Sequence, residues 1–134
     1  MEIFEKSLIE QASANMQKAY APYSGYKVGA ALLASSSKVY DGANIEGMVY
    51  RATHAEKLAL DCAVMAGERQ FIAIAVVTND PIPAFPCGQC LQDLAEFDNG
   101  GKGYLEIIAA NPEGKIRRST LAQLLPERFT VYDL

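Results

Sequence analysis

Two short segments, His54-Ala55-Glu56 and Pro86-Cys87-Gly88-Gln89-Cys90, constrain this chain more than anything else in it. Two thiolates and one neutral imidazole make a tetrahedral zinc site whose fourth position stays open to water, the arrangement of a catalytic rather than a structural ion. Any fold must therefore bring the two segments to one point. Cys87 and Cys90 stand three residues apart, and with Pro86 opening a helix ahead of them both sulfurs project from one face of a first turn. The positive end of that helix and the charge of the metal both favour thiolate. Thr53 precedes an apolar-periodic stretch, Leu58, Ala59, Leu60, Ala63 and Val64, which places His54 at or near the first residue of another helix. Two helix starts then face the same Zn2+, with Glu56 as a proton carrier beside it.

Each half has a plainer reading when taken alone. Thr53, His54, Ala55 and Glu56 also spell a capping box, in which Glu56 would only reach back to the Thr53 amide. A C-x-x-C can be a redox dithiol, but that reading wants an early place in a βαβ unit and no partnered His-x-Glu. Their joint occurrence favours metal, since the only histidine falls two residues before a glutamate. The remaining cysteine, Cys62, sits among Leu58, Leu60, Ala63 and Val64 and is read as core packing.

Composition narrows the class. At 134 residues the chain fits one domain, 1-134, with a core of its own. Three cysteines, two of them claimed by metal, argue against a disulfide scaffold and for a reducing compartment. The start, Met1-Glu2-Ile3-Phe4-Glu5, lacks the basic and apolar runs of a signal peptide, and no apolar run is long enough for a membrane span, so a cytoplasmic location is expected. A net charge of -4 counts against a nucleic acid polymer as partner and suits a small neutral substrate. The one dense basic group, Lys115, Arg117 and Arg118, reads as a solvated strand or turn edge.

Phe4, Leu8, Ala12, Met16 and Ala19 recur at helical spacing, predicting a helix from about residue 2 to 20 that ends at Ala21-Pro22-Tyr23. Tyr26 to Ala34 and Lys38 to Gly42, joined by Ser35-Ser36-Ser37, read as a hairpin. Phe71 to Thr78 and Tyr104 to Ala110 are rich in Ile, Val and Ala, as strands buried on both faces are. A short helix is expected near Leu121 to Leu125, with turns at Asn99-Gly100-Gly101 and Asn111-Pro112-Glu113-Gly114. The order of elements predicts a mixed sheet covered by helices, an α/β fold.

Five segments together give the chain a family resemblance. Tyr23-Ser24-Gly25-Tyr26-Lys27-Val28-Gly29-Ala30-Ala31-Leu32, Asn44-Ile45-Glu46, His54-Ala55-Glu56, Pro86-Cys87-Gly88-Gln89-Cys90 with Gln92, and Leu124-Leu125-Pro126 with Phe129 resemble the short members of the cytidine deaminase family. The two zinc segments are the general zinc-deaminase pattern, with the glutamate as acid and base rather than ligand. Asn-x-Glu between the Val-Gly-Ala-Ala strand and the first ligand is the more specific sign. The resemblance implies a three-layer α/β/α sandwich around a mixed five-stranded sheet, and hydrolysis of cytidine or deoxycytidine to uridine or deoxyuridine in pyrimidine salvage. It implies His54, Cys87 and Cys90 as zinc ligands, Glu56 as the catalytic group, and Tyr26, Asn44, Glu46, Ala55 and Phe129 as substrate-binding residues. Asn44 and Glu46 would bind the ribose 3′-hydroxyl, and Tyr26 would lie against base or sugar. It also implies a homo-oligomer, a tetramer, in which Phe129 crosses an interface, with Leu124, Leu125, Val131 and Tyr132 as further apolar material for a partner surface.

The chain departs from the family's usual pattern in three places. Its first ligand is His54 where short members carry a cysteine, and Lys57 stands where an arginine is usual; two thiolates leave less negative charge for an arginine to offset. The segment from Glu46 to His54 is about one residue shorter than usual, and its Arg51 is a solvated loop charge or a contact to an anionic group or neighbouring subunit. Two alternatives stay open at this level. One is a related zinc deaminase acting on a guanine or other purine base, a modified cytosine nucleoside such as blasticidin S, or a nucleotide. The other is a zinc-stabilised binding protein in which Glu56 closes the fourth position.

Overall fold

A computed structural model describes residues 3–98 and 102–130. Its first helix, α1 (Ile3–Met16), buries Leu8, Ala12 and Met16, the stripe that the sequence spacing marks. It ends earlier than residue 20. The Gln17, Lys18 and Ala19 amides donate to carbonyls three residues back, a tightening turn, and Tyr20 then leaves the helix to pair with Ile45.

The strands β1 (Val28–Ala34) and β2 (Val39–Ala43) form the expected antiparallel hairpin. Next comes a small antiparallel pair, β3 (Ile45–Gly47) and β4 (Arg51–Thr53), in a stretch that the sequence presents as a loop. Helix α2 (Ala55–Met65) leads to β5 (Phe71–Thr78), and α3 (Gly88–Ala95) to β6 (Glu106–Ala110). A further strand, β7 (Ile116–Thr120), carries Arg117 and Arg118 and closes the sheet before the short helix α4 (Leu121–Leu124). The turn at Asn99-Gly100-Gly101 and the residues Val131 and Tyr132 lie outside the described residues.

The sheet order is β2-β1-β5-β6-β7, with β5 and β6 parallel and every other neighbouring pair antiparallel. Alternation along β1, β5 and β6 sends Ala31, Ala73, Ala75, Val77 and Ile108 toward α1, and Ala30, Leu32, Ile74, Val76 and Ile107 toward α2 and α3. The result is the three-layer sandwich. Small residues let the helices sit close to the sheet. A Cβ on Gly29 would lie 2.1 Å from the Ala12 carbonyl oxygen of α1, and one on Gly42 would lie 2.0 Å from the Ala55 carbonyl oxygen of α2.

One residue is corrected by this packing. Cys62 is exposed rather than buried, because the inward face of α2 is Ala55, Glu56, Ala59, Leu60 and Ala63, and Cys62 falls on the opposite side. Among the described residues, no helix is long and apolar enough to cross a membrane.

Candidate active site

Helices α2 and α3 start in the same way. His54 is the N-cap of α2 and Cys87 the N-cap of α3, each with an extended backbone and each accepting the first intrahelical bond at its carbonyl, from Leu58 and Leu91 respectively. Both ligands thus sit one position ahead of the helix rather than within it. An N-cap side chain normally turns back to satisfy the first helical amides. Neither His54 nor Cys87 does so, which leaves both free for another partner.

That partner is shared. His54 Nδ1 lies 3.2 Å from Cys90 Sγ and 3.5 Å from Cys87 Sγ, and the three ligand atoms all fall within 4.8 Å of one another. Tetrahedral zinc with Zn–S of about 2.3 Å and Zn–N of about 2.0 Å puts neighbouring N and S ligands about 3.5 Å apart. The spacing fits. Burial pushes the Cys90 thiol well above its ordinary range, with the charges of Glu56 and Cys87 adding to the effect. A thiol so placed needs a local cation to ionise, and a divalent metal is the one that this donor set selects.

Glu56 lies in the first turn of α2 and is 6% exposed. The capping box that Thr53 and Glu56 could have formed is absent, whereas one forms at α4 between Thr120 and Gln123. Burial raises the Glu56 carboxyl above its ordinary value, opposed by its own backbone amide and by His54. A carboxyl held this way beside a metal site is suited to taking up and giving back a proton.

His54, Glu56 and Cys87 line one end of a cavity of about 410 Å³. Its walls are apolar at Val28, Ala52, Ala55, Val76, Ala84 and Phe85, with Ser24, Tyr26, Asn44, Glu46 and Thr78 supplying polar atoms. Asn44 and Glu46 are both there, and both are already engaged by their own chain. Asn44 Oδ1 accepts from the Val28 amide at 2.8 Å and Nδ2 donates to the Tyr26 carbonyl at 2.7 Å. Glu46 accepts from the Tyr23 and Ser24 amides and from the Ser24 hydroxyl, and that hydroxyl is the main reason its carboxyl is held below its ordinary value. Each retains hydrogen-bonding capacity for a ligand, a second N–H on Asn44 and further lone pairs on Glu46.

Tyr26 lines the cavity, and its hydroxyl donates to Asp80 Oδ2; burial, then this bond, raises its pKa. Thr78 is 2% exposed, and its hydroxyl sits beside that of Tyr26 without a hydrogen bond of good geometry, which leaves it available to a ligand or solvent. Phe129 is elsewhere. Its backbone is clamped at both N and O by the Gln92 side amide, while the residue is 71% exposed and does not line the cavity of its own chain. Arg51 is exposed on β4.

Sequence reading alone missed the loop between β5 and α3 as a cavity wall. Ala84 and Phe85 come from it, and Asp80 holds Tyr26 from it. Its signal was the run Pro81, Pro83 and Pro86, which stiffens the approach to Cys87.

Comparison with known proteins agrees with this geometry. The family model described as the cytidine and deoxycytidylate deaminase zinc-binding region matches residues 3–101. The cytidine deaminase of Sporosarcina psychrophila is 42% identical over 130 residues, covering 96% of this chain and 93% of that protein. The cytidine deaminase of Halalkalibacterium halodurans is 41% identical, covering 95% of each. The crystal structure of cytidine deaminase from Burkholderia pseudomallei superposes with a TM-score of 0.87 at 43% identity, covering 96% of this chain and all of that one. A metal triad at two converging helix starts, a buried carboxyl beside it and this breadth of similarity together place the chain in the cytidine and deoxycytidylate deaminase zinc-binding family.

Proposed function

We propose that this protein is a zinc-dependent hydrolase that removes the 4-amino group of cytidine or deoxycytidine, giving the uridine product and ammonia. The observation that carries the reading is Glu56, buried beside the His54, Cys87 and Cys90 triad at the end of a cavity of nucleoside size. Zinc held there supplies Lewis acidity that brings the pKa of water toward neutrality. Glu56 would take one proton of the attacking water and deliver it to the ring nitrogen, then take the second proton from the hydroxyl so formed on the ring carbon and give it to the amine as the carbon–nitrogen bond breaks, leaving the uridine carbonyl and ammonia. Ala55 and the valine walls receive the base. Asn44 and Glu46 face the sugar, their own-chain bonds fixing their orientation before a substrate arrives.

A neutral nucleoside suits the cavity better than a nucleotide. Its lining carries the carboxyls of Glu46 and Glu56 and, among the described residues, no lysine or arginine to receive a phosphate. We further propose that one domain carries the whole reaction, that the protein works in the reducing cytoplasm, and that it assembles as a homotetramer. The exposed Met48, Val49 and Tyr50 of the β3-β4 turn and the exposed Phe129 support assembly, with Phe129 covering a neighbour's nucleoside.

The test is zinc content together with the ultraviolet absorbance change over a panel of cytidine, deoxycytidine, free cytosine, cytidine monophosphate, blasticidin S and guanine. About one zinc per chain and preferential turnover of the two nucleosides are expected. Equal use of free cytosine would remove Asn44 and Glu46 from sugar recognition, and preference for guanine would overturn the reading.

A further inference from the structure

The β6-β7 hairpin contributes no residue to the cavity, yet two of its side chains hold the loop that does. That loop, between β5 and α3, contains Pro81, Pro83 and Pro86, which have no amide to donate, so its carbonyls depend on donors from elsewhere. Asn111, 4% exposed, donates from Nδ2 to the carbonyls of Asp80 and Pro81, each at 3.0 Å. Arg117 donates from one guanidinium nitrogen to the Pro83 carbonyl at 2.9 Å and lays the guanidinium carbon 4.4 Å from the centre of the Phe85 ring. Three carbonyls, of Asp80, Pro81 and Pro83, and the Phe85 ring are thus held from one hairpin. The same loop supplies the cavity wall at Ala84 and Phe85 and leads to the ligand Cys87.

The register explains why Arg117 can do this and Arg118 cannot. Arg117 pairs with Ala109, on the sheet face that packs against α2 and α3, whereas Arg118 pairs with Ile108 and points toward α1, where it bonds Glu5 at 2.8 Å. We propose that Arg117 is a positioning residue for the deaminase site. By stacking on Phe85 and tying down Pro83, it sets the apolar wall against which the pyrimidine packs. It acts on substrate binding rather than on the proton transfers, since Phe85 is a wall of the cavity and Glu56 is on a different helix.

The assignment rests on the nucleoside reading for its kinetic arm only. Hydrogen exchange and steady-state kinetics on Arg117→Ala, Arg117→Lys, Phe85→Ala and the Arg117→Ala, Phe85→Ala double variant test it. Arg117→Ala should speed amide exchange across residues 82–88 about tenfold and leave α1 unchanged. It should raise KM for cytidine about fivefold with kcat within about twofold and zinc retained, the pattern of lost uniform binding. Arg117→Lys should restore only part of this, because a point charge lacks the planar fork. In the Phe85→Ala background the same change should add less than about twofold. Unchanged exchange at 82–88, an unchanged KM, or an equal KM effect with and without Phe85 would each overturn the assignment. A wild type that fails to turn over cytidine would overturn the functional reading instead, and the exchange arm would still decide the brace.

Discussion

The first turns of α1 and α2 each carry one glutamate, and the two are equally buried: Glu5 is 7% exposed and Glu56 is 6% exposed. Both helices lie on alanine-rich strands, over Gly29 on one face of the sheet and over Gly42 on the other. What separates them is the partner offered to the carboxyl. Glu5 meets the Arg118 guanidinium and becomes part of the scaffold. Glu56 meets no ion-pair partner among the described residues, and faces a cavity beside three metal-ligating side chains. Packing of the same kind leaves a paired carboxyl on one face and, on the other, a carboxyl without an ion pair that lines the cavity. The difference lies at the helix ends.

Four experiments would break or sharpen that contrast. The largest effect is expected from the Cys87→Ala, Cys90→Ala double variant, which should lower bound zinc from about one per chain to near none and abolish deamination. Metal analysis checks it, and full zinc occupancy would sink the ligand set. Next, Glu56→Gln should keep zinc and thermal stability while kcat falls at least about 10²-fold. Near-normal turnover would reduce Glu56 to the status of Glu5.

The third experiment is a matched pair. Gly29→Ala and Gly42→Ala drive a methyl against backbone at almost the same distance, 2.1 Å and 2.0 Å, so each should cost roughly 1–3 kcal/mol in denaturant unfolding. Only Gly42→Ala displaces the start of α2, so only that variant should lose zinc affinity and kcat per folded molecule. Equal kinetic damage from both would erase the distinction between the faces. The smallest effect is Arg118→Ala. Arg118 is half exposed but its partner Glu5 is nearly buried and would be left unpaired, so stability should fall by about 1–2 kcal/mol, with kcat/KM unchanged.

Much of the site was legible in the sequence because its chemistry is local. His54, Cys87 and Cys90 come together where the two helices start, and Glu56 lines the same cavity as His54 and Cys87. The rest turns on contacts that spacing does not encode. Helix α1 stops at Met16 although Ala19 keeps the period, since Tyr20 finds a strand partner in Ile45. The β3-β4 pair was hidden by its turn: Met48, Val49 and Tyr50 lack the glycine or asparagine that usually signals one, and Tyr50 takes a φ of 62° all the same. Cys62 looked buried because apolar neighbours surround it in sequence, but the inward face of α2 is set by where Gly42 lets the helix approach. Lys115, Arg117 and Arg118 looked like one basic cluster, and only strand alternation divides it.

That division has a consequence for the rim of the sheet. β7 is an edge strand, and an unpaired edge is a template on which another chain can add a strand. With Arg117 engaged on one face and Arg118 on the other, an incoming strand would have to desolvate a guanidinium on each side at once. Strand addition along β7 is therefore disfavoured, because it requires covering two charged groups, one on each face of the strand.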